Sequence, residues 1–180
     1  MVAVVDILQA ISGSLHFSEI VQIIARKLGE TFGLDRSSIL LASTSEDVRL
    51  VASYEDPSIR NLMVDLSRYP EIERVFGSGE TVFIADAADE PMLEGIQPLL
   101  DLRNVRSIVV APIRWRGQVI GAIVVRTERD APPFSERDVQ FLQAIASLTA
   151  TALRNAHRVE SMMRAIEVSA TLRAGVGAAS

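Results

Sequence analysis

The 180-residue chain is 48% hydrophobic and 23% charged, proportions that exclude a disordered or collagen-like polymer and fit one domain with extra helix rather than two. Its net charge of -5 is a poor electrostatic match for a polyanion, so nucleic acid is not an expected partner. The lack of cysteine removes disulfides, thiol nucleophiles, zinc-cysteine and iron-sulfur sites and thioether-linked chromophores, and Lys27 alone among 18 basic residues could form a Schiff base.

Val4, Leu8, Ile11 and Leu15 are spaced as one face of a first helix, weakened near Ser12-Gly13-Ser14. Ser18 is a suitable N-cap for a second helix, along which Ile20, Ile24, Leu28 and Phe32 recur every fourth residue before Gly33. Ser38 to Thr44 and Val48 to Tyr54 read as an antiparallel hairpin about the polar turn Ser45-Glu46-Asp47. Pro70, with Glu71 and Glu73 in the first turn, opens a short helix that Gly77-Ser78-Gly79 closes. A strand at Thr81 to Ala85 follows, then an acidic loop, Asp86 to Glu90, and an apolar helical turn, Met92 to Leu100.

A second hairpin joins the Val/Ile-rich segments Ser107 to Ile113 and Gln118 to Thr127 through Arg114-Trp115-Arg116-Gly117, where Gly117 supplies a positive φ. Gly121 inside the return strand marks a bulge or a close backbone approach. Ser135 and Asp138 form a relative of the capping box, with Phe134 and Val139 as a hydrophobic staple. Beyond them Leu142, Ile145, Thr149, Ala152, Ala156, Val159, Met163, Ile166 and Ala170 alternate in steps of three and four, a heptad seam over one long helix. Leu148, Leu153 and Met162 widen that seam, which favours packing on the domain first and a multi-helix bundle further along. Met1 to Ala10 has no basic leader region, and the longest apolar run is far short of the roughly 20 residues that span a bilayer. A cytoplasmic location without membrane insertion is therefore expected.

The order of these elements resembles a GAF domain. The residues that carry the resemblance are Leu66-Ser67-Arg68-Tyr69-Pro70-Glu71-Ile72, Gly79-Glu80-Thr81-Val82-Phe83-Ile84-Ala85-Asp86, Arg106-Ser107-Ile108-Val109-Val110-Ala111-Pro112-Ile113 and Gly117-Gln118-Val119-Ile120-Gly121-Ala122-Ile123. Ile113 stands where the family commonly has Leu. The resemblance implies an α+β sandwich: an antiparallel sheet of five or six strands, with the first, second and last helices on one face. On the other face, short middle helices roof a ligand pocket. It also divides the chain into an N-terminal helix (1–15) that joins a dimer bundle, the GAF domain (16–154), a signalling extension of the last helix (155–172) and a flexible tail (173–180).

The chemistry-bearing residues point away from catalysis. His16 and His157 lack partners at ligand spacing, so neither haem nor a metal is expected, and the sequence around His157 lacks the acidic residue that follows a kinase's phospho-accepting histidine. Asp86, Asp89, Glu90 and Glu94 are hard oxygen donors, but their spacing fits no EF-hand and suits the start of a helix. No nucleophile elbow or Gly-rich phosphate loop is present. Arg114-Trp115-Arg116 could stack on a base but suits an exposed turn. Within the GAF family, missing cysteines remove the methionine-sulfoxide reductase and bilin branches, and the position of Lys27 argues against the Asn-Lys-x-Asp cyclic-nucleotide branch.

What remains is a sensor of a reversibly bound small molecule, coupled through a homodimeric last helix to an output domain such as a histidine kinase, cyclic-dinucleotide enzyme, phosphatase or transcriptional regulator. A ligand-free dimerisation spacer is the alternative. The pocket candidates are Tyr69, Val75, Phe83, Met92, Ile96, Leu99, Val109 and Ile123, with Arg106 and Ser107 as polar anchors. The dimer candidates are Val4, Leu8 and Ile11 of the first helix and Ala152, Ala156, Val159, Met163 and Ile166 of the last.

Overall fold

The computed structural model describes residues 17–32, 36–44 and 46–177. The expected first helix with Val4, Leu8 and Ile11, as well as His16 and Gly33, lies outside them. Helix α1 (Phe17–Phe32) leads into strands β1 (Arg36–Ala42), β2 (Val48–Ser53) and β3 (Leu62–Met63). A 3-10 turn at Leu66–Arg68 precedes α2 (Pro70–Ser78) and β4 (Val82–Ile84), and a second at Pro91–Ile96 runs into α3 (Gln97–Leu102). The hairpin of β5 (Val105–Trp115) and β6 (Gln118–Glu128) is followed by the long α4 (Glu136–Gly177). The strands form one six-stranded sheet in the order β3-β2-β1-β6-β5-β4, and every neighbouring pair is antiparallel. The α+β sandwich of the sequence reading is the observed architecture.

Side-chain alternation along the central strands divides the core in two. On one face Ile39, Val109, Ala111, Ile123 and Val125 meet Ile24 and Leu28 of α1 and Leu142, Ile145 and Leu153 of α4. On the other, Leu40, Ile108, Val110 and Val124 meet Ile72 and Val75 of α2, Leu93 of the second 3-10 turn and Leu100 of α3. Each large aliphatic side chain withdrawn from water here contributes about 1.5–3 kcal/mol. The aliphatic pattern, with few aromatics, is enough to fill both layers.

Local signals place the ends of these elements. Ser135 N donates to Asp138 Oδ2 at 2.8 Å and Asp138 N to Ser135 Oγ at 3.3 Å, closing the reciprocal box ahead of α4. The β5–β6 connection is tighter than expected, because β5 continues two residues further, to Trp115, and only Arg116 and Gly117 turn the chain. Their φ values of 50° and 78° are those of a type I′ hairpin. Helix α4 also runs further than the sequence suggests: the segment from Arg173 to Gly177, read as tail, is helical. Ala156 is still buried on the domain, whereas residues 161–177 are exposed.

Gly121 marks both a close approach and the edge of a bulge: β6 pairs with β1 in continuous register there, but against β5 the register shifts beside it, from Ile113 opposite Gly121 to Arg114 opposite Val119. A Cβ at this position would collide with the Leu40 carbonyl oxygen and sit 2.8 Å from Leu41 Cδ2. Backbone of a central strand cannot move aside as a side-chain tip can. Gly121→Ala should therefore lower stability in urea unfolding by about 2–3 kcal/mol, the scale of an overpacked core.

Candidate functional site

The sheet is not covered evenly on its second face. Over β4 and β5 the roof is closed, because Val75, Leu93 and Leu100 are buried directly against the strands. Toward β1, β2 and β3 the roof thins to the 3-10 turn at Leu66–Arg68 and the segment between β2 and β3. A partly open cavity of about 630 Å³ lies beneath it, within the usual range for small-molecule sites. Its apolar wall includes Leu40, Leu50, Val124 and Ile72, and exposed Leu62 and Met63 of β3 stand at its margin. Arg36, Arg68, Arg103 and Arg126 line it as well, with the carboxylates of Glu55, Asp56 and Asp65.

Arg126 continues the β6 alternation from Val124, so strand geometry delivers its side chain to the cavity face. There its Nη2 donates to Glu71 Oε1 at 3.3 Å. Glu71 is 1% exposed and the Arg126 side chain 15%, so α2 is fastened to the sheet by a largely buried ion pair. Only one carboxylate oxygen is used: Glu71 Oε2 is buried with no partner among the described residues. Tyr69, just before α2, lies 5.8 Å from the Arg126 guanidinium carbon and 5.7 Å from that of Arg103, measured to its ring centre. Arg103 Nη1 also donates to Tyr69 Oη at 3.3 Å. Two cations are thus held about one aromatic ring.

The carboxylates at the cavity are occupied elsewhere. The Ser58 hydroxyl, at 2.5 Å, and then the Ser58 backbone N–H hold the Asp56 carboxyl below its ordinary range. Asp65 is lowered in the same way by the Ser67 hydroxyl and backbone N–H, with a smaller contribution from the charge of Arg68. Glu55 stands 3.5 Å from Arg36 Nε. Among the described residues Arg103 has no carboxylate within ion-pairing distance.

Of the ten residues read from the sequence as pocket-lining, only Tyr69 borders this cavity. Val109 and Ile123 are buried on the opposite face, in the core shared with α1 and α4, because the strand parity places Ile108 and Val124 on the cavity face instead. Phe83 is paired with Val109 and so shares that opposite face, at the sheet edge. Ser107 is also there: its hydroxyl lies 2.5 Å from Thr127 Oγ1 and accepts from Phe134 N at 3.4 Å, which ties the start of α4 to the hairpin. Arg106 donates to the Ala131 carbonyl at 3.0 Å and steadies the loop before α4. Val75 is core, and Met92, Ile96 and Leu99 are half-buried in the closed part of the roof.

The sequence reading missed Arg36, Arg103 and Arg126. An arginine within a Val/Ile-rich strand, as in Val124-Val125-Arg126-Thr127, is the signal that marks the last of these. The acidic loop uses its carboxylates locally: Asp86 Oδ1 accepts from Ala88 N at 3.0 Å within a turn, and Glu90 Oε1 accepts from Met92 N at 3.4 Å as the cap of the second 3-10 turn. No cluster of three or more potential metal ligands occurs among the described residues. At the hairpin tip, Arg154 of α4 lies 3.7 Å from the centre of the Trp115 ring, so that ring is already stacked on a cation of the same chain. Of the seam residues, Ala152 is half-buried and Ala156 buried against their own domain. Met163 and Ile166 are 52% and 68% exposed, and the side chain of Val159 lies outside the description. Among the described residues, no helix is long and apolar enough to cross a membrane.

Comparison with known proteins agrees with this geometry. The family model of the GAF domain matches residues 16–153. The GAF domain of a phosphoenolpyruvate-protein phosphotransferase from Coxiella burnetii is similar with a TM-score of 0.72 at 18% identity, over 88% of this chain and 95% of that one. Residues 122 to 287 of a methyl-accepting chemotaxis protein give 0.71 at 23% identity, over 85% and 98%. A phycocyanobilin-bound GAF domain from a cyanobacterial phytochrome gives 0.70 at 23% identity, over 86% and 93%. These likenesses are of fold. No curated protein matches the sequence significantly.

The buried pair gives the site its own test. Arg126→Leu leaves the Glu71 charge buried without a cation and should cost about 3 kcal/mol in urea unfolding. Adding Glu71→Gln to that variant should restore much of the loss, since the uncompensated charge is then gone.

Proposed function

The chain belongs to the GAF domain family, and from that premise we propose that it is a non-catalytic regulatory module that senses a small molecule in a bacterial signal-transduction protein. The cavity of about 630 Å³ beside β1 and β2 carries this reading. It combines an apolar wall with a few convergent polar groups, the usual makeup of a site that binds and orients a small ligand. GAF domains occur in signalling proteins, among them the chemotaxis protein and the phytochrome similar to this chain.

Transmission runs through α4 in a homodimer. Residues 16–154 form the sensor, and the helix from 155 onward relays to an output domain. The apolar residues Met163 and Ile166 continue the seam beyond the last covered position, Ala156, and a second copy of the helix is the partner that matches a heptad spacing. Gln22 supports coupling between the cavity and the helical layer. From α1, its Nε2 donates to the carbonyls of Val51 at 3.2 Å and Ile59 at 3.1 Å, and Ile59 borders the cavity. A ligand switches such a device only in proportion to its differential affinity for two arrangements of the helices.

A thermal-shift screen of metabolites tests the sensing role: a ligand at 100 times its Kd adds about 2.7 kcal/mol of stability. Leu50→Trp, which fills the cavity, should abolish that shift while leaving the circular dichroism spectrum unchanged. For the dimer, Met163→Glu with Ile166→Glu should halve the mass seen by light scattering. An unchanged dimer mass in that double variant would refute the role given to the seam.

A further inference from the structure

We propose that the ligand is a small amphipathic anion, its carboxylate or phosphate group held by Arg103 and Arg126 beside Tyr69 and its apolar part laid against Leu40, Leu50 and Val124. This inference rests on the reading of the cavity as the ligand site, and adds the chemical class that the site selects.

A guanidinium carries five N–H donors in a rigid plane. Among the described residues, the Arg103 side chain uses one of these on the Tyr69 hydroxyl, and Arg126 uses one on Glu71. The remaining donors have no protein acceptor in hydrogen-bonding geometry among the described residues. Both groups are partly buried, so water compensates them less fully than it would on an open surface. Their position is also set in advance, since the Tyr69 ring holds both and Glu71 fixes Arg126 from behind. A carboxylate or phosphate oxygen accepts charge-assisted bonds from guanidinium with matching planarity.

A cationic ligand fits less well. Asp56 and Asp65 are taken by their own turns and Glu55 stands beside Arg36. The adjoining wall is aliphatic, so inorganic phosphate alone would leave it unused. An anion with a short hydrocarbon body satisfies both halves of the cavity. Leu62 and Met63, more than half exposed at its margin, would be covered further by such a body.

Isothermal titration of the full chain with hexanoate, hexyl phosphate, hexanamide and inorganic phosphate tests this. Hexanoate or hexyl phosphate should bind at least about tenfold more tightly than the neutral amide, and Arg103→Gln should remove about tenfold of that affinity. The two anions distinguish a carboxylate from a phosphate head. Arg103 follows the last residue of α3, is only partly buried and belongs to no ion pair among the described residues, so its variant is expected to stay folded, with circular dichroism as the check. Equal binding of amide and anion, no effect of Arg103→Gln, or no binding of either amphipathic anion at millimolar concentration would each overturn the proposal. Leu50→Trp separates the two levels. If hexanamide binds and the tryptophan blocks it, the cavity is a ligand site of different chemistry; if the tryptophan changes nothing, the cavity reading fails as well.

Discussion

The Glu71–Arg126 pair is the contact on which the cavity depends. A carboxylate that is 1% exposed is tolerable only with a cation beside it, because desolvating an isolated charge costs several kcal/mol. That requirement dictates where α2 begins, since its first turn must lie over β6 at Arg126. Once α2 is set there, Tyr69 and the preceding 3-10 turn are carried over β1 and β2. The cavity follows as the space that this short, irregular roof does not fill. A purely aliphatic contact at the same place could match the stability. It would not deliver a guanidinium to the cavity wall, so the ionic pair has a use that stability alone does not explain.

Each face of the sheet carries a different demand. The layer under α1 and α4 is closed: the hydroxyls of Ser107 and Thr127 satisfy one another, and Ser37 donates to the Ala25 carbonyl. Buried polar groups there are satisfied and tie the helices to the strands at a few points. The opposite layer is closed only over β4 and β5, and Val124 and Arg126 of β6 already border the cavity. Its other half is bordered by the two-residue strand β3 and by turns that Asp56 and Asp65 stabilise locally. Rearrangement is cheaper where few apolar contacts hold the backbone, so the cavity end of the fold is also its softer end.

Much of this architecture was legible in the residues. The fourfold spacing from Ile20 to Phe32, the Ser135–Asp138 box and the Val/Ile-rich hairpin each announce an element through a local rule, and tertiary packing overrules none of them. Two features lay beyond such rules. Strand β3 is two residues long, too short for any periodicity, and exists because its register pairs it with Arg49 and Leu50. The facing of β5 and β6 was also hidden, because a strand buried on both sides shows no alternation of apolar and polar residues. Val109 and Ile123 therefore looked as suitable for a pocket as Ile108 and Val124. Only the placement of α1 and α4 decides the parity. Arg126 breaks the apolar run and marks the cavity face by one residue, a clue that requires knowing that the arginine is partly buried.

The same parity limits how a signal can cross the sheet. Val124 and Arg126 face the cavity while Val125, between them, faces the helices, so a displacement of β6 would be felt on both sides at once. Strands paired on both edges resist such displacement: β6 is bonded to β1 and β5 along most of its length. The route around the edge is less constrained. Gln22 reaches from α1 to the carbonyl of Ile59, joining the loosely held segment at the cavity to a helix that shares its core with α4. A change in the cavity that repositions this segment therefore acts on α1 through a side-chain hydrogen bond, with no need to bend the sheet. Two discrete packings of α1 against α4 would convert that local movement into a change in the exposed helix, and the rigid sheet would serve as the frame against which they move.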